Sequence, residues 1–284
     1  MVGDIETGAA KGSSDVRTFY DTQGWKTGQS GDKPLDLELF GNWEVGEIRQ
    51  RAHARRLGRI RDAFAPVKGM KLVECGCGGN PAAFLTDLCS TYTGVDFSTT
   101  GLRATAQKLS SMGSHARAVA ADLCAMPFGD GAFDAAYSAH ALYHIPTEEA
   151  QGRAFDEVLR IVRPGGIVVF VLANPRPLLF PGRLAKRLIA DTPILGKAVD
   201  HLRSRPPLPY EPMTLGWMRR RIGRFATVEI ISYAMASIWF DHHVSEQKAL
   251  GRALWNSVAW VEKRHERLAA YLGNFVTIKA VRHA

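Results

Sequence analysis

Five short apolar runs follow one another through the middle of the chain, and segments with helical spacing separate them. The runs are five to seven residues long, a length typical of buried strands, and the last of them is wholly apolar. The runs occupy residues 71–75, 92–96, 116–121, 135–139 and 167–173. Strands that alternate with helices in this way predict a doubly wound α/β fold, with a mostly parallel sheet and helices on both faces.

Two more strands are predicted near the end of the chain, at residues 226–232 and 274–281, after a helix over 214–223. Between these strands lies an extra segment, 245–272, which contains two tryptophans and many charged residues. Its simplest interpretation is a helix or a helix pair packed on the sheet. We therefore assign residues 214–284 to the completion of the sheet.

The start of the chain has a different pattern from the core. Residues 1–15 are polar and small, which predicts a disordered tail, and residues 16–69 are predicted to form a lid followed by a helix. That helix, over 43–64, has apolar residues at helical spacing among many arginines, which we expect to be solvated.

The alternation stops after the predicted core, residues 70–173, where Asn174-Pro175-Arg176-Pro177 breaks the pattern. Residues 174–213 are therefore predicted to form a cap insertion. Leucines, isoleucines and valines stand among basic residues over 178–202. Three interpretations of this segment remain open: packing on the core, contact with a lipid-like substrate or membrane surface, and binding of an acidic soluble substrate.

Composition narrows the class of protein. A chain of 284 residues that is 46% hydrophobic suits one enlarged α/β domain. No apolar run reaches the roughly 18 residues that span a bilayer, and the polar start predicts no secretory signal. The four cysteines all lie in the predicted core without the spacing of a disulfide framework, which favours a cytoplasmic location. Cys75 and Cys77 have no matching second pair, so no metal site is predicted.

The formal charge of +8 and a pI near 9.5 permit attraction to nucleic acid, anionic lipid or an acidic small molecule. Most of the excess basic residues lie outside the predicted core, within 49–61, 183–205 and 219–224. The sequence contains no module of stacking aromatics like those of RNA-binding domains. A nucleic-acid partner is therefore disfavoured, and no feature sets an oligomeric state.

A glycine-rich loop, Glu74-Cys75-Gly76-Cys77-Gly78-Gly79-Asn80-Pro81, follows the first predicted strand. Its glycines let backbone amides approach a ligand closely. The loop begins with an acid, which repels phosphate but accepts hydrogen bonds from an ammonium group, and this favours an amino-acid ligand over a pyrophosphate. Asn80 tolerates a left-handed backbone and is expected to preserve the turn before a helix over 82–90.

Acidic residues also end the next two strands. Asp96 lies twenty-two positions beyond Glu74, near the spacing at which such an acid accepts hydrogen bonds from ribose hydroxyls. Asp122 follows the third strand, where it can accept from an exocyclic amine. The turn Pro164-Gly165-Gly166 then closes a helix and starts the fifth strand.

In their order and spacing, these four motifs resemble the class I S-adenosylmethionine-dependent methyltransferases over residues 70–173. The resemblance implies a seven-stranded sheet with an antiparallel last strand, and S-adenosyl-L-methionine as cofactor. It implies the following roles: Glu74, Gly76 and Gly78 at the methionine end, Asp96 on the ribose, Phe97 packed on adenine, Asp122 and Leu123 at the adenine edge, and Ser138 and Ala139 beside the sulfonium.

Candidate catalytic residues follow the fourth strand, where the methyl-transfer cleft is expected. His140 and His144 could act as a base, and both have a structural role as the alternative. Tyr20 lies where related enzymes often have a tyrosine over the cofactor. The pair His242 and His243 after Asp241 is expected on a strand, where adjacent side chains face opposite ways, so a surface or packing role is favoured over metal binding.

The leading function predicted from the sequence is methyl transfer to an O or N atom of a small or medium-sized metabolite. One alternative is a lipid-linked or quinone-like acceptor at a membrane surface, with peripheral lipid contact. Another is a regulator that binds the cofactor without catalysis. The DNA-methylating motif is absent after strand four, where Ser138-Ala139-His140-Ala141 stands instead.

Overall fold

The computed structural model describes residues 13–25, 46–110, 115–175, 177–179 and 211–284. Its seven strands are β1 (Met70–Cys75), β2 (Cys89–Asp96), β3 (Ala116–Ala120), β4 (Phe133–Ala139), β5 (Val162–Ala173), β6 (Ala226–Ala234) and β7 (Phe275–Arg282). The α-helices of the described ranges are α1 (Ser13–Phe19), α2 (Glu47–Phe64), α3 (Thr99–Ser110), α4 (Glu148–Ile161), α5 (Leu215–Ile222), α6 (Ile238–His243), α7 (Ala249–Arg264) and α8 (Glu266–Leu272).

The strands form one sheet in the order β3-β2-β1-β4-β5-β7-β6. Neighbours among β1 to β5 pair in parallel, whereas β7 is antiparallel to both β5 and β6. The predicted α/β fold class, with its antiparallel last strand, is confirmed.

The centre of the sheet is the core of the molecule. From Ile167 onward every residue of β5 is buried, and β4 beside it is also largely buried. Parallel strands covered on both faces need such continuous apolar runs, which explains why these strands were visible in the sequence.

The helix predicted over 82–90 is shorter and of another type. A 3₁₀-helix spans Ala83–Leu88, and β2 begins directly after it at Cys89. The N–H of Ala82 donates to the Glu74 carboxylate at 2.9 Å, which fixes the chain just before the helix. Too few residues then remain before β2 for a regular α-helix.

The expectation that the arginines of α2 are solvated is wrong for three of them. Arg56 is 4% exposed and pairs with Glu262 at 2.9 Å, and Arg49 pairs with Glu246 at 3.0 Å. Arg59 lies 2.6 Å from Glu266. The acids come from the C-terminal segment that packs on α2, a contact that the local sequence of the helix does not reveal.

Asp241 and His243 lie on helix α6, so the expectation of a strand there is wrong. Ser237 caps this helix by accepting from the N–H of Phe240 at 3.2 Å. In the part of the chain that the structure describes, no group of three or more His, Cys, Asp or Glu side chains could hold a metal ion.

The predicted terminal and insertion segments are described only in part. Helix α1 begins at Ser13, inside the predicted tail, while residues 1–12 lie outside the described ranges. The same holds for residues 26–45 of the predicted lid and 180–210 of the predicted cap. Within the described ranges, no helix is both long enough and apolar enough to cross a bilayer.

Candidate active site

The loop after β1 depends on two glycines in the left-handed region, Gly76 with φ +80° and Gly78 with φ +51°. A Cβ on Gly76 would overlap the Ala141 side chain, and one on Gly78 would overlap the Trp25 indole. The N–H of Gly76 donates to the carbonyl of Val95 at 2.8 Å, which ties the loop to β2. The loop is therefore a tight cradle that larger residues cannot form.

Asn80 does not take the left-handed conformation that the sequence suggested. Among the described non-glycine residues, a positive φ occurs at His140 alone. The side-chain oxygen of Asn80 instead accepts from Lys108 Nζ at 3.2 Å, and the same Nζ donates to the Gly79 carbonyl at 2.8 Å. Gly76 and Gly78 make the turn, and Lys108 holds its far side.

Glu74 is buried beneath the loop. Its carboxylate accepts from the N–H of Ala82 and from the hydroxyl of Tyr92. Burial raises its pKa to about 8, so the group is mostly protonated at neutral pH. In the structure Glu74 links the loop to β2, and its predicted contact with the cofactor stays a prediction.

Asp96 ends β2 and is also buried. One carboxylate oxygen accepts from the N–H of Gly78 and the other from the N–H of Ser98, both at 2.8 Å. Burial raises its pKa, and these hydrogen bonds act in the opposite direction. Since each carboxylate oxygen has a second lone pair, Asp96 can still accept from a pair of ligand hydroxyls.

The residues predicted at the adenine side lie around the same end of the sheet. Phe97 is half-buried and packs in a small apolar cluster with residues of the N-terminal segment. Leu123 would lie 3.7 Å from a Cβ on Gly76. Asp122 is exposed and accepts from the N–H of Cys124 at 2.8 Å, which fixes the turn after β3.

An N-terminal strap, residues 13–25, covers the glycine loop. The rings of Tyr20 and Trp25 stack at 5.5 Å, and the Trp25 indole lies against Gly78. Asp21 accepts from Ser98 Oγ at 2.8 Å and from the N–H of Thr100 at 3.2 Å, which attaches the strap to the start of α3. Trp25 Nε1 is buried, and the described residues offer it no hydrogen-bond partner.

The sequence interpretation placed Tyr20 in this region but missed Trp25 and Asp21. Aromatic residues in the predicted lid were a signal for Trp25. No local pattern indicates that Asp21 contacts a helix almost eighty residues away.

A second group of residues lies at the carboxyl-terminal edge of the sheet, beside the fourth strand. Phe275 begins β7 opposite Ala173, the last residue of β5, and it also pairs with Ala234 near the end of β6. The His140 ring lies 4.6 Å from that of Phe275 and 5.5 Å from that of Tyr233. Tyr233 and Phe275 were not predicted, because strand pairing alone brings them here.

His140 has an unusual conformation and environment within this group. Its backbone is left-handed with φ 59°, and its Nδ1 lies 3.1 Å from the Tyr143 hydroxyl. Burial, and then the neighbouring His144, lower its pKa to about 4. The imidazole is therefore neutral at pH 7, and its burial disfavours protonation.

The other residues predicted after strand four are placed as follows. Ser138 is fully buried, and its Oγ has no hydrogen-bond partner among the described residues. Ala139 pairs with Val171 in β5. His144 is 9% exposed, and its ring lies 4.6 Å from that of Tyr143.

Comparison with known proteins supports the interpretation of this end of the sheet. A family model described as a methyltransferase domain matches residues 73–170. A sterol 24-C-methyltransferase of Gibberella zeae is 31% identical over 138 residues, which are 45% of this chain and 34% of that protein. A fatty-acid O-methyltransferase of Mycolicibacterium smegmatis is 28% identical over 170 residues, 59% of this chain and 57% of that protein. The chain thus matches well under two thirds of the length of these relatives.

Among solved structures, similarity extends over nearly the whole chain at low identity. The magnesium protoporphyrin IX methyltransferase of Synechocystis PCC 6803, solved with bound SAH, superposes with a TM-score of 0.59 at 13% identity. The alignment covers 95% of this chain and 99% of that one. At this identity the similarity establishes the fold.

Proposed function

We propose that this chain, whose residues 73–170 match a methyltransferase-domain model, is a class I S-adenosylmethionine-dependent methyltransferase that transfers a methyl group from S-adenosyl-L-methionine to an apolar, lipid-like acceptor. The donor half of this proposal rests on the glycine cradle and Asp96. The acceptor half rests on the ring group around His140, and the target atom predicted from the sequence, O or N, is widened to include carbon.

The residues at the donor side fit this cofactor. The tight turn at Gly76 and Gly78 brings the loop close to Asp96, which is held where it can accept hydrogen bonds from ligand hydroxyl groups. Half-buried Phe97 and Leu123 provide apolar surfaces for a base. The buried Trp25 Nε1 is a donor that a bound molecule can satisfy.

The reaction needs little more than position, because methyl transfer from a sulfonium is an in-line displacement. The cofactor supplies an electrophilic methyl group on a cationic sulfur. Asp96 would orient the donor, while Tyr20 and Trp25 would cover it from water. Where the acceptor loses a proton, neutral His140 can accept a hydrogen bond from that group, but burial disfavours the imidazolium form, so His140 is a weak base in this environment.

The acceptor class follows from the rings at the same edge. Phe275, Tyr233 and Tyr143 surround His140, and all three are at least nine-tenths buried. These rings make the surroundings of His140 apolar and aromatic, and such surroundings favour an apolar molecule and a nearby cation over a polar, uncharged one. The named activities of the similar proteins above, on sterol and fatty-acid substrates, support the same class. They include a C-methyltransferase, so carbon stands beside oxygen as a candidate target.

Titration calorimetry tests the donor half. We expect S-adenosyl-L-methionine to bind the wild-type protein and Asp96→Ala to weaken that binding at least about tenfold, because a charge-assisted hydrogen bond contributes about 1.5–3 kcal/mol. The matched control is Asp130→Ala, which removes an exposed carboxylate that pairs with Arg160 outside the site. No binding by the wild type would contradict the whole proposal.

Transfer of a labelled methyl group tests the acceptor half. The protein is incubated with labelled donor and either a long-chain fatty acid, a prenylated hydroquinone, a sterol or a water-soluble amine. We expect label in an organic-extractable product from at least one of the apolar acceptors. Transfer to the amine alone, with donor binding intact, would refute the acceptor class and leave the donor assignment standing.

A further inference from the structure

Large apolar side chains are exposed mainly in one part of the molecule. Seven are exposed among the described residues, and five of these belong to α7 and α8: Leu250 (74%), Leu254 (41%), Trp260 (59%), Leu268 (51%) and Tyr271 (50%). Scattered exposed hydrophobic residues are ordinary, but a concentration within two consecutive helices indicates a contact surface.

Helix α7 carries two apolar stripes. Gly251, Trp255 and Val258 are buried and face the protein. Successive residues of an α-helix are rotated by about 100° around its axis. On this basis Leu250, Leu254 and Trp260 lie outside the buried stripe, within a separate sector of about 120° of the helix circumference. A helix that packs on the core by one stripe needs no second one for folding.

The same two helices are strongly basic at their surface. Five exposed cations lie on or beside them: Lys248, Arg252, Lys263, Arg264 and Arg267. The acids of this region are engaged elsewhere, since Glu262 is buried against Arg56 and Glu266 lies 2.6 Å from Arg59. The outer side of α7 and α8 therefore combines apolar residues with uncompensated positive charge.

This surface lies next to the end of the sheet that carries the ring group around His140. The Nδ2 of Asn174, just after β5, donates to the carbonyl of Tyr271 at 2.8 Å and to that of Gly273 at 2.9 Å. The N–H of Leu178, itself 45% exposed, donates to the Leu272 carbonyl at 2.7 Å. The end of α8, Leu272, thus lies three residues before Phe275, whose ring contacts His140.

We propose that the outer faces of α7 and α8 form a peripheral docking surface for anionic lipid bilayers. Leu250, Leu254 and Trp260 enter the interfacial region, and the surrounding lysine and arginine side chains contact acidic headgroups. The charge of the patch favours a negatively charged bilayer over a neutral one. This inference stands independently of the methyl acceptor, because it needs neither donor binding nor transfer.

Vesicle co-sedimentation of the full-length protein tests the proposal. We expect binding to phosphatidylcholine vesicles that contain about 30% phosphatidylglycerol, weaker binding to pure phosphatidylcholine, and release at high salt because the attraction is screened. Trp260→Gln should lower the bound fraction on anionic vesicles at least about fivefold. The matched control is Phe225→Gln, which removes a ring that is 39% exposed next to the start of β6, at the end of the sheet away from Phe275. This variant should bind vesicles as the wild type does.

A second pair of variants separates charge from apolar contact. Lys263→Gln/Arg264→Gln should reduce binding, whereas Arg219→Gln/Arg220→Gln, which removes the same charge from exposed positions of α5, should leave it nearly unchanged. Equal losses in both pairs would overturn the assigned surface in favour of net charge. The proposal would also be overturned if the wild type did not bind vesicles. The same holds if Trp260→Gln left vesicle binding unchanged and altered only the self-association measured by light scattering.

Discussion

Glu74 and Tyr92 share a buried hydrogen bond that links the donor loop to β2. A carboxyl group in this position is held in its protonated form, because burial disfavours the charge and raises the pKa to about 8. Glu74 thus has a structural function, and its protonation state depends on pH.

The pH dependence of stability should show this directly. Between pH 4.5, near the pKa of an unfolded Glu, and pH 8, the native state binds a proton at Glu74 that the unfolded state has lost, so stability falls as pH rises. The slope is at most about 1.4 kcal/mol per pH unit. We expect Glu74→Gln, which retains an acceptor oxygen, to flatten this slope in denaturant titrations at pH 5, 6, 7 and 8. An unchanged slope would mean that the carboxyl is ionised in the folded protein.

At this scale the sequence reveals some site residues and hides others. Gly76 and Asp96 are visible, because a turn after a strand and an acid at the end of the next one have local signatures. Tyr233 and Phe275 have no such signature, and Trp25 has only the aromatic composition of the predicted lid. They reach the site through the strap and through strand pairing, which bring together positions separated by more than a hundred residues, such as Ala173 and Phe275.

The ion pairs between α2 and the C-terminal helices determine how the two ends of the chain pack. Arg56 and Glu262 are 4% and 1% exposed, and Glu262 also accepts from the N–H of Met235 at 2.7 Å. A buried pair of this kind contributes little over an apolar contact, but removing one partner leaves a charge without compensation.

We therefore expect Arg56→Met to lower the free energy of unfolding by about 3–5 kcal/mol, and the double variant Arg56→Met/Glu262→Gln to recover part of that loss. Arg51→Met is the control, since Arg51 lies on the same helix and pairs with Glu47 at the surface, where such pairs contribute under about 1 kcal/mol. Guanidinium denaturation measures all three. Equal effects of Arg56→Met and Arg51→Met would contradict the buried role.

Element types were predicted best where the apolar run was long and continuous, as in β5. They were wrong for two short elements, the 3₁₀-helix Ala83–Leu88 and α6. In both cases a hydrogen bond, from Ala82 to Glu74 or from Phe240 to Ser237, fixes the start of a short helix. Short elements bury little surface, so one such contact outweighs their intrinsic preference.

Over the whole molecule, stability is distributed unevenly. The centre of the sheet belongs to one large core, whereas Val16 and Phe19 of the strap belong to a small separate cluster. The strap is attached mainly by that cluster, by Asp21 and by Trp25. Regions with few buried contacts open locally at a low free energy.

Hydrogen exchange should therefore separate the strap from the sheet. We expect amides of residues 13–25 to exchange much faster than those of β4 and β5, and to slow when S-adenosyl-L-methionine is added. Trp25→Ala should abolish that slowing while the exchange of β6 stays as in the wild type. A strap that exchanges as slowly as β5 without cofactor would show that it is a fixed part of the core.

The position of β7 also has a consequence for the order in which the protein matures. β7 pairs with both β5 and β6, yet it follows both along the chain. During synthesis, residues 226–234 leave the ribosome before the strand that joins them to the sheet exists. The donor cradle, complete once β4 has emerged, can form earlier than the ring group that includes Phe275. The residues of the proposed donor side are thus all synthesised before Phe275, so the proposed acceptor side is the last part of the site to be completed.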